Sequence, residues 1–150
     1  MLSIFMAYTT KYKPINPKKY KGDVNNIICR SLWERKFAKY ADTNDNVLEW
    51  AVEEIIIPYF DPTTKKMRRY FPDFYIKYVD REGKIKKAII EIKPLRETQE
   101  PKRTKGKSNK TLISETLTYV KNQAKWEAAR EFCKDNLIEF RVMTEKELGI

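Results

Sequence analysis

Pro72-Asp73 and, after seventeen intervening residues, Glu91-Ile92-Lys93 are the residues of this chain whose types and spacing best fit chemistry. In an extended strand, side chains two apart share a face. Glu91 and Lys93 therefore project together from the end of an apolar run, Ala88-Ile89-Ile90. Asp73 belongs to the preceding strand, which a turn at 80–83 folds back beside them, with the exact register left open. Two converging carboxylates bind a hard divalent cation through oxygen, typically Mg²⁺, with Mn²⁺ as a substitute. A lysine beside them can orient a water nucleophile and stabilise negative charge building on phosphorus. A Glu-x-Lys triplet carries little weight alone, since the chain holds four, at Glu34, Glu82, Glu91 and Glu100. Only the one at Glu91 follows a buried-type strand and has Pro-Asp at hairpin distance before it. The competing reading is that the same three side chains are half-exposed sheet residues making cross-strand ion pairs. Spacing alone does not separate the two.

The absence of histidine narrows the alternatives. It excludes Ser-His-Asp and Cys-His mechanisms, an HExxH metalloprotease, a zinc finger and a nuclease with a histidine base. Thirty-one basic against 21 acidic residues give a net charge of +10, which favours a polyanionic partner, nucleic acid above all. Cys29 and Cys133 stand apart from each other and from any ligand partner, as expected of buried reduced thiols in a reducing compartment. No apolar run reaches the roughly 20 residues of a membrane span, and Met1 to Ala7 makes a poor signal peptide. An intracellular domain with no membrane association and no small-molecule cofactor is the expectation.

The elements that must position these groups follow from periodicity. Residues 1–26 read as an extended basic N-terminal arm, with Lys18, Lys19 and Lys21 among its cations and Pro14 and Pro17 along it. A globular domain over 27–150 follows. Ile28, Leu32, Trp33, Phe37 and Tyr40-Ala41 recur at helical spacing until Asn44-Asp45-Asn46. Val47–Phe60, with its β-branched Ile55-Ile56-Ile57, reads as a strand with Pro58 near its end. Asp61-Pro62-Thr63-Thr64 is a turn. Tyr70–Val79 and Lys86–Lys93 read as second and third strands of an antiparallel meander. Residues 95–110 form a mobile basic loop, a common place for function. A helix from about Leu112 to Lys134 carries two neighbouring stripes, one of Leu117, Val120, Ala124, Ala128 and Phe132, the other of Tyr119, Asn122, Trp126, Ala129 and Cys133. Ile138–Met143 is the last strand, and Thr144-x-x-Glu147 has the form of a capping box. The order predicts an α/β fold, α-β-β-β-α-β, with a central mixed sheet flanked by helices.

Other charged residues carry two readings each. Glu34, in Arg30-Ser31-Leu32-Trp33-Glu34, reads from spacing alone as a solvated helix residue in an i,i+4 pair. Glu53 and Glu54 either support the acidic site from outside or simply begin a strand. The Tyr119 and Trp126 stripe reads as core more readily than as a base-stacking platform. Lys65, Lys66, Arg68 and Arg69 lie beside the strand that carries Asp73, and Lys102, Arg103, Lys105, Lys107 and Lys110 lie in the loop after Lys93. With Arg30 and the arm lysines, these are the candidate DNA contacts.

The helix Glu, Pro-Asp and Glu-x-Lys arrangement resembles the PD-(D/E)XK nuclease superfamily, with its restriction-endonuclease-like core. The resemblance implies that Asp73 and Glu91 hold Mg²⁺, with the main-chain carbonyl of Ile92 as a further ligand. Lys93 would then assist the attacking water. It also lifts Glu34 to a catalytic and metal-binding position. A closer likeness runs along nearly the whole chain from Met6. Met6-Ala7-Tyr8, Tyr20-Lys21-Gly22-Asp23, Arg30-Ser31-x-Trp33-Glu34 and Ile57-Pro58-Tyr59-Phe60 take part in it. So do Arg68-Arg69-Tyr70-Phe71, Glu91-Ile92-Lys93-Pro94, Glu97-Thr98-Gln99-x-Pro101 and Tyr119-x-x-Asn122-x-x-Lys125-Trp126. These are similar to the family of head completion nucleases of T4-like tailed phages, whose members begin near Met6 and need not carry a proline at the position of Pro72. Glu53, Tyr119, Asn122 and Lys125 are the residues expected to surround and support the acidic site.

What the likeness implies is a metal-dependent DNA endonuclease that processes the packaged DNA end at the portal before tail attachment. Its partners would be duplex DNA and capsid, portal or neck proteins, in the host cytoplasm during assembly or with the virion. Two other readings stand beside it. One is a non-catalytic DNA-binding plug or adaptor of the head vertex. The other is a different nuclease on the same core, cutting transposon ends or junctions.

Overall fold

Short β-branched runs alternating with two long helical stretches produce one central sheet covered on both faces. The computed structural model describes residues 9–150, so the Met6-Ala7-Tyr8 motif lies outside the described residues. Strands β1 (Thr10–Lys11) and β2 (Ile28–Cys29) pair antiparallel, and helix α1 (Leu32–Thr43) follows. Next come β3 (Val47–Val52), β4 (Ile57–Asp61), β5 (Lys66–Tyr70), β6 (Phe74–Val79) and β7 (Ile85–Ile92). Helix α2 (Asn109–Asp135), β8 (Glu139–Met143) and the short α3 (Glu145–Leu148) complete the chain. The sheet order is β3-β6-β7-β8, with β3, β6 and β7 antiparallel and β8 joined parallel to β7. This is the mixed, helix-flanked sheet read from the sequence. The Thr144-to-Glu147 capping box is present at α3.

The meander differs from expectation in one respect. Val47–Phe60 and Tyr70–Val79 are each broken into two strands, and the inner pieces, β4 and β5, leave the sheet as a separate hairpin. The breaks have local causes. Glu53 adopts a left-handed backbone, φ 52°, which a continuous strand cannot contain. Pro72 lacks the N–H that a strand ladder needs. Ile55-Ile56-Ile57 masks the first break, because β-branched residues read as strand whichever partner they find.

Residues 10–26 are not an extended arm. They wrap the face that α1 covers and drop two tyrosines into its core. Tyr12 and Tyr20 meet the fully buried Trp50 edge-on, with centroids 5.8 and 4.8 Å away. The wrap is pinned by the buried carboxylate of Asp42, which accepts from the Tyr12 hydroxyl at 2.7 Å and from the N–H groups of Ile15 and Asn16 at 2.7 and 2.9 Å. Lys19, expected on DNA, donates instead to the carbonyls of Asp42 and Asn44 at 2.9 and 2.8 Å. Aromatic residues between the lysines carried this signal, since a free arm has little reason to hold them.

Two cores result. One joins α1, the wrap and one sheet face, around Trp33, Phe37, Trp50, Phe74 and Ile90. The other joins the β4–β5 hairpin and α2 on the opposite face, around Ile57, Tyr59, Tyr70, Ile89 and Trp126. Of the two stripes on α2, the one with Asn122, Trp126, Ala129 and Cys133 is buried. Leu117 and Val120 are exposed because the first part of α2, from Asn109 to about Val120, runs beyond the core. Cys29 and Cys133 are buried free thiols, and no helix among the described residues is long and apolar enough to cross a membrane. The expected loop over 95–110 is shorter than read: Leu95–Thr98 is a 3-10 turn and α2 begins at Asn109.

Asp61 fixes the hairpin to α2. Its carboxylate is fully buried, accepts from the Thr63 N–H and hydroxyl at 2.9 and 2.6 Å, and lies 3.2 Å from Arg68 and 3.7 Å from Lys121. Burial opposes its ionised form, but the Thr63 and Thr64 donors and the Lys121 ammonium outweigh this and hold its pKa at about 2. A depressed carboxyl stabilises the fold above its unfolded value of about 4 and loses that contribution as pH falls toward 2. Thermal melts from pH 2 to 7 are expected to show a lower melting temperature for Asp61→Asn at neutral pH. The difference from wild type should shrink between pH 4 and 2; a constant gap across that window would contradict the assignment.

Candidate active site

The acidic groups gather where the breaks between β3 and β4 and between β5 and β6 open the end of the sheet. Phe74 pairs with Ile90, so continuing the register by one residue sets Asp73 opposite Glu91. Phe74 and Ile90 both enter the α1 core. By alternation, Asp73 and Glu91 face the other side, toward the hairpin and α2. Asp73 Oδ2 accepts the Ile92 N–H at 2.8 Å, which locks the carboxylate against β7. Lys93 Nζ lies 3.9 Å from Glu91 Oε2. Glu91 is buried, and its Oε1 has no hydrogen-bond partner among the described residues.

Glu34 reaches the same place from the first turn of α1. Ser31 caps that helix by accepting the Glu34 N–H at 3.1 Å and donates its hydroxyl to Glu34 Oε2 at 3.2 Å. Glu34 is therefore buried rather than a solvated partner of a later lysine. The Ser31-x-x-Glu34 spacing is that of a capping box, a signal the helical periodicity alone did not use.

Electrostatics tie the three carboxyls together. Burial, then Glu91 and Glu34, push the Asp73 carboxyl well above its usual range, against the Ile92 N–H and Lys93. Burial, with Glu53 and Glu91, likewise raises Glu34, against the Arg30 N–H and the Ser31 hydroxyl. The carboxylate of Glu91 makes both Asp73 and Glu34 harder to ionise, the condition that a bound cation relieves.

A second lysine also enters the site. Lys125 of α2 is half-buried, with its ammonium 5.9 and 5.7 Å from the ring centroids of Tyr59 and Tyr70. Burial lowers its pKa and Glu91 works the other way. Tyr70, the last residue of the hairpin, is buried with its hydroxyl ionisation pushed up by burial and by Glu91. Its place beside Glu91 was hidden by the reading of Tyr70–Val79 as one strand.

The remaining candidates fall in different places. Glu53 is held by Arg30 in a two-point contact, Nε to Oε1 at 2.9 Å and Nη2 to Oε2 at 3.1 Å, and its N–H donates to the Asp73 carbonyl at 3.2 Å. It braces the Asp73 backbone. Tyr119 and Asn122 line a cavity of about 540 Å³ between the 96–107 segment and α2, not the acidic cluster itself. Lys21 pairs with Glu49 at 3.3 Å, and Lys107 pairs with Glu115 at 2.8 Å. Arg103 donates to the Lys107 carbonyl and to Asn109, so part of the basic loop braces itself. Lys18, Lys65, Lys66, Arg69, Lys102, Lys105 and Lys110 stand exposed.

No three acidic or cysteine side chains among the described residues close into a complete metal-ligand cluster. The donor set still fits Mg²⁺, which keeps several waters and takes only one or two carboxylates from its protein. Asp73 and Glu91 would hold the ion, with the Ile92 carbonyl and Glu34 as further oxygen donors.

A mixed sheet that delivers Asp and Glu-x-Lys from adjacent strands beneath a helical Glu defines a nuclease of the restriction-endonuclease-like class. The chain belongs to the family described as TnsA-like endonuclease N terminal, whose model matches residues 44–145. It is also 38% identical over 143 residues to the head completion nuclease of Enterobacteria phage T4, with 93% of each chain covered. No solved structure matches. The chain is accordingly a DNA endonuclease, and the reading as a non-catalytic plug is set aside.

Proposed function

We propose that this chain is a Mg²⁺-dependent DNA endonuclease of phage head completion, processing the packaged DNA end at the portal before the tail joins. Supporting the chemistry is one observation above the rest. Asp73 and Glu91 oppose each other on adjacent strands with Glu34 nearby, the other two carboxylates both press on Asp73, and Glu91 Oε1 is buried with no hydrogen-bond partner among the described residues. Supporting the biological role is the 38% identity to a protein named for head completion. Capsid, portal or neck proteins are its proposed partners, and the host cytoplasm during assembly is its proposed place of action.

The residues divide the work by position. A divalent ion held here would lower the pKa of a bound water and neutralise charge on the phosphate. Lys93, beside Glu91, orients the attacking water and holds charge on the transferring oxygens. Asp73 keeps its angle through the Ile92 N–H, and Glu34 through its helix cap. Lys125 sets a second cation on the α2 side of Glu91, its ammonium lying over the rings of Tyr59 and Tyr70. Exposed lysines at 65–66 and 102–110 then bind flanking phosphates, so affinity should fall steeply with salt.

Plasmid nicking tests the reading. Wild-type protein is expected to convert supercoiled DNA to nicked or linear forms in Mg²⁺ or Mn²⁺ and not in chelator. Glu91→Ala and Lys93→Ala should lose about 10²-fold or more. Undiminished cutting by both variants would overturn the site assignment.

A further inference from the structure

We infer that the β4–β5 hairpin is a DNA-distorting wedge: its outward pair Phe60 and Met67 enters between base pairs while its cations hold the flanking phosphates. The inference deepens the nuclease reading and rests on it for the identity of the partner. Alternation sorts the hairpin into two faces. Ile57, Tyr59 and Tyr70 point inward and are buried against α2. The opposite face carries the cross-strand pairs Phe60 with Met67 and Pro58 with Arg69. Phe60 is 53% and Met67 66% exposed. Large apolar side chains standing in solvent directly opposite one another mark a contact surface.

Charge names the occupant. Lys65, Lys66, Arg68 and Arg69 all lie exposed on β5 and the turn before it. The single acid between 56 and 71 is Asp61, which is buried and already engaged by Arg68 and Lys121. A second copy would bring the same positive surface and be repelled. Duplex DNA matches on both counts, since its phosphates meet the cations and its stacked bases accept an apolar wedge. A two-stranded ribbon is also an element that a DNA groove admits.

The hairpin is well supported for this task. Its inner face is packed, Asp61 clamps its turn, and Tyr70 at its base sits beside Glu91. Met67 precedes Asp73 by six residues, so at ~3.3 Å per residue the wedge lies at most about 20 Å from the acidic site. That places the opened step within about six base pairs of the cut, at 3.4 Å per pair. Unstacking there would favour DNA that is already weakened, such as an end or a nick, over intact duplex.

The test uses the full chain in chelator, so that no cutting occurs, with duplexes carrying 2-aminopurine at successive positions from an end. Wild type is expected to raise the fluorescence at one or two adjacent positions by a few fold. Phe60→Ser with Met67→Ser should abolish the rise and weaken binding by about 10-fold, with the salt slope unchanged because the cations remain. Phe60→Leu with Met67→Leu, apolar still, should keep the rise. Both variants change exposed side chains, and a retained melting temperature confirms their fold. The inference is overturned if wild type unstacks no position, or if the serine variant distorts DNA as wild type does. It is equally overturned if the serine variant alters only self-association in sedimentation. Loss of Mg²⁺- and Mn²⁺-supported nicking would sink the nuclease reading, while the fluorescence result decides the wedge separately.

Discussion

Asp73→Asn is expected to abolish most cleavage, by about 10²- to 10³-fold or more, and to raise the melting temperature of the metal-free protein. The two effects share one origin. The Asp73 carboxyl is pushed up by burial and by the Glu91 and Glu34 carboxylates, so ionising it works against the fold. An amide removes that charge while its oxygen can still accept the Ile92 N–H now bound at 2.8 Å. For a chain of this length, the melting temperature should rise about 2–4 °C for each kcal/mol of repulsion removed. Its pH dependence has a definite sign. A carboxyl raised in the folded state contributes stability that is complete below its unfolded pKa of about 4 and is lost as pH rises through the folded value. Metal-free wild type should therefore lose melting temperature between about pH 4 and neutrality, with Asp73→Asn flatter over that range. Mg²⁺ at pH 8 should restore much of the loss in wild type and little in the variant.

Lys93→Ala is the second large effect and differs in its stability sign. The ammonium lies 3.9 Å from Glu91 in a site otherwise crowded with carboxylates. Removing it withdraws the group placed to orient water, at an expected cost of about 10²- to 10⁴-fold in rate. It also leaves the buried Glu91 closer to uncompensated charge, so the melting temperature should fall in metal-free buffer, by an amount that added Mg²⁺ narrows. Melting curves of the two variants side by side, with and without Mg²⁺, are the check. A shift in the same direction for both would show that carboxylate repulsion does not govern the site.

Much of this site is legible in the sequence because two of its strands are local. Asp73, the turn at 80–83 and Glu91-Ile92-Lys93 form one hairpin, and strand alternation then decides which side chains converge. Glu34 was not legible that way. Its burial depends on α1 docking across the sheet end, and only its spacing from Ser31 hints at the cap. The hairpin was hidden for a related reason. Ile55-Ile56-Ile57 and Tyr70-Phe71 have strand character whether they join the central sheet or leave it, and the deciding residues, Glu53 and Pro72, are single positions. Lysines are the least legible residues of all. Lys19 and Lys18 look alike in sequence, yet one is spent on helix-end carbonyls and the other faces solvent.

Crystals of the full chain soaked in Mn²⁺ would test the metal site most directly, through anomalous density. The predicted result is a peak bounded by the carboxylates of Asp73 and Glu91, absent from Asp73→Asn crystals treated in the same way. Density elsewhere on the molecule with none between those two side chains, in protein that still cuts DNA, would contradict the proposed chemistry.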